Sequence, residues 1–358
     1  MAYTTIDDPS AHFQAKVYTG NGNTGTAYTN DGNSDLQPDL LWFKRRDSNT
    51  SHSLSDTSRG LENVVWPDSA GAEYDYSSYD TVTAVGSDGF TVGTSTAHNG
   101  DGASLVCWQW KANGGSRTTN AEDGNNPAGG YQANTTAGFS IVDYTGTGAA
   151  GTMAHGLGAV PDLIIIKNRD EADDWAVYHS ANTAAPETDY LVLNETDTTA
   201  DDATYWNDTA PTSSVFTVTT AHNVNADAEK YMAYCFTEIQ GYSKFGSYTG
   251  NGSADGPFVY LGFKPAFVII KSSTKALQPW VMFTGKIATG TNSNPLIVAS
   301  DADDSKAERG TFTSDLLSNG FKILQVSGST TTSGETYTYM AFAEQPFVTS
   351  GGVPCTAR

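Results

Sequence analysis

Apolar positions along this chain recur with a period of two, the spacing of a strand whose side chains alternate between faces. In 104–110, Val106, Trp108 and Trp110 point one way while Leu105 and Cys107 point the other; in 231–236, Met232, Tyr234 and Phe236 oppose Tyr231, Ala233 and Cys235. Both sets are largely apolar, so these segments are expected to be central strands covered on both sides. The runs Leu40-Leu-Trp-Phe43, Leu163-Ile-Ile-Ile166 and Phe267-Val-Ile-Ile270 share that two-sided character. Shorter apolar runs at 175–178, 190–193, 280–283 and 295–298 supply partner strands. Gly, Asn, Asp and Thr clusters separate the runs, and no convincing amphipathic helix interrupts them. The pattern predicts an all-β chain built of antiparallel β-sandwiches, of jelly-roll or lectin-like type.

The pattern is stated three times. Phe13-Gln-Ala-Lys-Val-Tyr18-Thr-Gly-Asn-Gly returns as Phe139-Ser-Ile-Val-Asp-Tyr144-Thr-Gly-Thr-Gly and as Phe245-Gly-Ser-Tyr248-Thr-Gly-Asn-Gly. Each copy continues with a Pro-led apolar run ending in Lys44, Lys167 or Lys271, then a Phe landmark (Phe90, Phe216, Phe321) and a closing apolar strand. Tyr18 to Tyr144, Phe90 to Phe216 and Leu105 to Tyr231 are each 126 residues apart; the corresponding second steps are 104, 105 and 108. Offsets this constant point to three tandem copies of one domain of ordinary size, each with its own core. The boundaries read as an N-terminal arm over 1–12, copies at 13–112, 138–238 and 239–347, a Gly-rich linker at 113–137 and a C-terminal arm over 348–358. The linker composition predicts a first copy free to swing, whereas the short junction at 238–243 predicts that the second and third copies move together. Both arms are expected to be extended and to fray unless held.

Charge narrows the partners. Forty acidic residues against nineteen basic give a net charge of −21, with no basic stripe to neutralise phosphates, so nucleic acid and anionic membranes are poor partners. The opening Met1-Ala-Tyr-Thr-Thr-Ile lacks a basic region and an apolar core, and no stretch approaches the ~20 apolar residues of a membrane span, so classical export and membrane insertion are not expected. Three cysteines make no disulfide framework; Cys107 and Cys235 fall on equivalent strands and read as buried thiols, with Cys355 in the tail.

Enzyme signatures are missing: no Gly-x-Ser-x-Gly, no His-Glu-x-x-His and no phosphate-cradling loop. The expectation is therefore a non-enzyme with no catalytic residue, no metal and no cofactor. The one cofactor alternative is Ca²⁺ on the Asp-rich clusters 170–174, 201–202 or 301–304, none of which has EF-hand spacing. Thr-Ala-His98-Asn recurs as Thr-Ala-His222-Asn without a counterpart in the third copy, which suits a hairpin-loop residue better than a shared function. Exposed aromatic rings can stack on sugars, but sandwich cores use the same residues as filler. Trp175 and Trp280 match across copies, with His52 in their place in the first, and are assigned to packing. Tyr74, Tyr76 and Tyr79 in a polar loop unique to the first copy, with Trp206 in the second, are the candidate ligand contacts.

Tyr-Thr-Gly-Asn-Gly followed by Gln37-Pro-Asp-Leu, His155-Gly-Leu-Gly before Pro161-Asp, Lys244-Phe-Gly-Ser-Tyr-Thr-Gly-Asn-Gly and the closing Tyr339-Met-Ala-Phe-Ala-Glu-Gln-Pro-Phe347 together resemble repeat-bearing virion structural proteins of marine tailed bacteriophages. The resemblance spans 1–358 and carries no active site with it. It implies a tail-fibre or tail-tip protein that contacts host-surface glycans, made in the host cytoplasm and built into the virion beside other virion proteins. The alternatives are a capsid decoration or head-fibre protein and, from another class, a polysaccharide depolymerase. A homo-oligomer is expected, a trimer first, because several weak sites hold a cell better than one.

Overall fold

The computed structural model describes residues 2–287, 296–298 and 314–355. The chain is all-β, and among the described residues no sheet closes into a barrel. One strand order recurs three times. In the first copy Phe13–Thr19 pairs with the closing strand Ser104–Trp110, which pairs with Leu40–Arg45, followed outward by Ser53–Asp56 and Gly60–Val65. The second copy repeats it with Phe139–Thr145, Lys230–Phe236, Leu163–Asn168, Ala176–His179 and Asp189–Val192. In the third the order is Ser243–Thr249, Thr336–Pro346, Phe263–Ser272, Val281–Thr284 and Leu296–Val298. A small sheet of two or three strands accompanies each large one.

The two-sided closing strands explain the packing. Leu105 and Cys107 face a core shared with Phe90 and Val92 of the first small sheet. Tyr231, Ala233 and Cys235 face Phe216 and Val218, and Tyr339 and Ala341 face Phe321 and Ile323. The opposite faces carry Trp108 and Trp110, Tyr234 and Phe236, and Met340 and Phe342, and these meet in one core to which all three copies contribute. Each copy thus has a private core and a share in a common one, where the repeat pattern alone gave only the private cores. Trp175 and Trp280 are buried in the common core and tie neighbouring copies: the Trp175 indole N–H donates to the Trp66 carbonyl at 2.9 Å, and that of Trp280 to the Val192 carbonyl at 2.8 Å. His52, in the matching place of the first copy, accepts the Trp42 indole N–H at 2.9 Å.

The Tyr-Thr-Gly motif is a latch. The hydroxyls of Tyr18, Tyr144 and Tyr248 donate to the carbonyls of His98, Val224 and Thr330 at 2.6, 2.6 and 2.7 Å. The glycine two residues on is forced by close approach, since a Cβ at Gly20, Gly146 or Gly250 would lie 2.3, 2.0 or 2.2 Å from a facing carbonyl oxygen. In the first two copies a buried asparagine completes the latch: Asn99 Nδ2 donates to Gly93 O and Asn225 Nδ2 to Thr219 O, both at 2.8 Å. These bonds pair His98 with Val224, not with His222, so the Thr-Ala-His-Asn match is two residues out of spatial register. Nor is His98 in a hairpin loop. It lies on a one-turn helix, Thr96–Asn99, buried against Phe43 with ring centroids 4.9 Å apart. The lysines that end the third strands are also interior: Lys44, Lys167 and Lys271 are buried and donate to backbone carbonyls, among them those of Thr50, Asn168 and Gln278.

Two expectations about connections are corrected. The segment 113–137 is no free linker, because Thr118–Asn120 and Gly129–Asn134 add two strands to the edge of the second large sheet. Its glycines serve close approach and left-handed turns rather than freedom: a Cβ on Gly129 would sit 2.1 Å from the Asp143 carbonyl oxygen, and Gly114, Gly115 and Gly124 turn the chain at φ 75, 86 and 62°. Arg117 pairs with Asp143 at 2.6 Å, and Gln132 Nε2 donates to Thr57 and Ser58 of the first copy at 2.8 and 2.7 Å. The first copy is accordingly held, not swinging. The arms do not extend either. Ile6 is buried, Tyr3 donates to the Gly262 carbonyl at 2.7 Å, and the Asp7 carboxylate accepts the N–H and hydroxyl of Ser350 at 2.6 and 2.5 Å, so each arm folds onto its own chain. At the 238–243 junction Tyr242 is buried, as its apolar character suggests. Cys107 and Cys235 are buried free thiols, and Cys355 is half-buried.

Candidate functional site

The outermost strand of the first large sheet is the two-residue Tyr74–Asp75, paired with Gly60–Val65 through Asn63 with Asp75 and Val64 with Tyr74. An edge strand this short leaves its side chains at the rim of the sheet. Tyr76, two residues on, packs its ring between three others, with centroids 4.6 Å from Tyr74, 5.6 Å from Tyr79 and 6.1 Å from Trp66, all edge-on. Tyr76 is half-buried, while Tyr74 is 49% and Tyr79 57% exposed. The turn is set by backbone bonds, Tyr79 N to Tyr76 O at 2.8 Å and Tyr76 N to Glu62 O at 2.9 Å, and by Asp75 accepting the Ser77 N–H at 2.8 Å. Those Ser77 bonds hold the Asp75 carboxyl below its ordinary range, and burial pushes the Tyr76 phenol up. The loop therefore sets a carboxylate that favours its charged form beside a phenol that favours its neutral one.

The loop is fixed to the second copy. Glu73 accepts two bonds from the Arg169 guanidinium at 2.7 and 3.0 Å and one from Arg59 at 2.7 Å, and its own N–H donates to the Arg169 carbonyl at 2.8 Å. Burial works to raise its carboxyl, but Arg169 and Arg59 hold it below the usual carboxylate range. Arg59 continues inward to Asp56 at 2.6 Å with both side chains fully buried, and Asp56 accepts the Tyr234 hydroxyl at 2.9 Å. Bidentate, charge-assisted bonds of this kind set orientation as well as adding energy. The Trp66 and Ser69 carbonyls also accept the Trp175 indole N–H, so the segment leading into the aromatic loop is held to the second copy at two places. Such a site presents preorganised ring faces and phenol hydroxyls to solvent, the chemistry that stacks on and hydrogen-bonds to a sugar.

Tyr74, Tyr76 and Tyr79 are thus brought together, and Trp66, not among the expected contacts, forms their inner wall. Trp206 is not with them. It is only 2% exposed, donates its indole N–H to the Asp189 carbonyl at 3.0 Å and packs on Tyr178, so its assignment as a ligand contact is withdrawn. The reason is a single helical turn, Ala203–Trp206, capped by Asp202 accepting the Thr204 N–H at 2.8 Å, which carries the ring inward. Of the acidic clusters weighed for Ca²⁺, 201–202 is accounted for in part by that cap, and 301–304 lies outside the described residues. Within 170–174, Asp170 and Asp174 are engaged by Lys230 and Asn194.

A family model for a domain of unknown function, DUF7483, matches residues 8–346. The chain belongs to this family. The match to DUF7483 runs through all three copies. No curated protein and no solved structure matches the chain.

Proposed function

We propose that this DUF7483 chain is a structural protein of a phage virion, a tail-fibre or tail-tip adhesin whose aromatic loop contacts glycans on the host surface. The observation that carries the reading is the exposed tyrosine pair, Tyr74 and Tyr79, packed edge-on against Tyr76 on a loop that Glu73 pins in place. Rings exposed singly are ordinary; a preorganised cluster is a binding surface. Glu62 and Asp75 beside it, on a chain of net charge −21, favour neutral over anionic sugars. We further propose that the three copies are tandem antiparallel sandwiches of jelly-roll or lectin-like type, supported by the recurrent strand order and the three private cores. The outer faces of the large sheets are spent on the common core, so the proposed homo-oligomer, a trimer first, would assemble through small sheets and loops.

The test replaces Tyr74, Tyr76 and Tyr79 together with Ala in the virion. Adsorption to host cells should be abolished while folding and particle assembly are unchanged, and the isolated wild-type chain should bind neutral glycans in preference to uronic or sialic acids. Normal adsorption of the triple variant would overturn the contact assignment. A cryo-EM map placing the chain on the capsid would replace the adhesin by the decoration reading.

A further inference from the structure

Three side chains far apart in sequence converge at one end of the second copy. The ligating atoms of Asp173, His222 and Glu229 all lie within 4.8 Å of one another. We propose that they form a binding site for a first-row divalent transition-metal ion, with zinc as the reference ion. The donor set is one imidazole and two carboxylates. An imidazole argues against calcium, which takes oxygen ligands, and suits zinc, which binds nitrogen and carboxylate oxygen at about 2.0–2.2 Å and commonly leaves a fourth position to water. Tetrahedral geometry at that bond length sets donors roughly 3.4 Å apart. Small rotamer changes in half-buried or exposed side chains achieve this.

The surroundings orient the ligands. Asn168 is fully buried, and its carbonyl oxygen accepts the N–H groups of Asp170 and Glu171 at 3.0 and 3.2 Å, which turns its amide nitrogen toward the site. That one nitrogen donates to Asp173 Oδ2 at 2.7 Å and to Glu229 Oε2 at 2.5 Å. A neutral amide holds the two carboxylates close without cancelling their charge, and converging like charges favour a cation between them. Tyr231 donates to the His222 carbonyl at 2.6 Å and so fixes the start of the turn His222–Asn225 that carries the imidazole. Partners of this type set ligand direction in metal sites.

The third copy shows that the ligand set is not needed for folding. Tyr337 repeats the Tyr231 latch, donating to the Gly328 carbonyl at 2.8 Å and accepting the Thr332 N–H at 2.9 Å, as Tyr231 accepts that of Ala226 at 2.7 Å. The strand register places Ser272 opposite Tyr337 as Asn168 lies opposite Tyr231. Gly328 therefore stands where the second copy has His222. The scaffold is kept and the imidazole is not, so His222 contributes something the fold does without. It is also the one exposed histidine: His52, His98, His155 and His179 are buried and His12 is half-buried.

The experiment uses the full chain with Cys355→Ser, which removes the one accessible thiol, stripped with chelator and titrated with Co²⁺ and Zn²⁺. One Co²⁺ per chain should bind with visible d–d absorption, Zn²⁺ should displace it, and Zn²⁺ should raise the melting temperature, because a ligand that binds only the folded state stabilises it. His222→Ala, with the third-copy glycine as precedent for its fold, should weaken binding tenfold or more and abolish the melting shift; Asp173→Asn should do the same. The proposal is overturned if no saturable binding occurs, if His222→Ala binds as well as its parent, or if Ca²⁺ competes on equal terms.

Discussion

His98 is surrounded by groups that accommodate a neutral ring. Ser53 Oγ lies 2.9 Å from its Nε2 and Ser95 Oγ 3.0 Å from its Nδ1, and among the described residues no carboxylate faces it to stabilise a charge. Burial lowers its pKa to about 4, from the ordinary 6.5. A base whose folded pKa lies below its unfolded one leaves the unfolded chain binding more protons between the two values. Its stabilising effect is complete above pH 6.5 and lost as pH falls toward 4, an effect of about 3 kcal/mol at full shift. His98→Val installs the side chain that Val224 has in the equivalent place and leaves the backbone carbonyl for Tyr18. Between pH 6.5 and 4 the wild type should lose more stability than this variant, by about that amount, read from urea midpoints. Parallel curves would show that His98 is not held neutral. Asp68, which burial raises to about 6, titrates in the same window with opposite sign but is common to both proteins and cancels. Lys44, Lys167 and Lys271, lowered by burial to about 8, act only on the alkaline side, where stability should rise from pH 8 toward 10.5 in both.

At the scale of single elements the sequence was most legible where one period dominated. The alternation in 104–110 and 231–236 assigned each side chain to a face, and the structure puts Val106, Trp108 and Trp110 in the common core and Leu105 and Cys107 in the private one. What period cannot reveal is which neighbour covers a face. Trp108 and Phe342 both read as core, yet only the fold shows that they serve the same core from different copies. Composition misled in two places: the glycines of 113–137 read as flexible because close approach and left-handed turns leave the same signature as freedom, and Trp206 read as a loop contact because a one-turn helix has no periodicity to detect. The Asp173, His222 and Glu229 set is assembled from a loop, a helical turn and the foot of the closing strand, so no local spacing announces it. The closing strands give the direct test of faces. Trp108→Ala, Tyr234→Ala and Phe342→Ala should each cost about 3–5 kcal/mol, as aromatic truncations in packed cores do. Losses under about 1 kcal/mol at two of the three, measured by denaturant unfolding, would mean the common core is not packed as described.

For the whole molecule the consequence is that three sequence copies behave as one body. A tandem array linked only by its chain would come apart when the chain is cut, because nothing else would join the pieces. Here the join is made twice over: by Trp108 and Trp110 packed among Phe236, Phe267 and Phe342, and by a line of charges from buried Asp56 and Arg59 through half-buried Glu73 to Arg169. Separating the first copy would expose those aromatic rings to water, at roughly 25 cal/mol for each Å² of apolar surface, and strand the buried charges without partners. The segment 113–126 is largely exposed, so a protease reaches it. Limited proteolysis should therefore nick the chain there while the two fragments, about 120 and 235 residues long by the sequence, co-elute as a single species in native size-exclusion chromatography and separate only in denaturant. Release of the amino-terminal fragment under native conditions would refute the common core. Glu73→Gln, which leaves Arg169 and Arg59 without their shared carboxylate, should loosen the nicked complex while the intact chain still folds, since the covalent link keeps the copies at high local concentration.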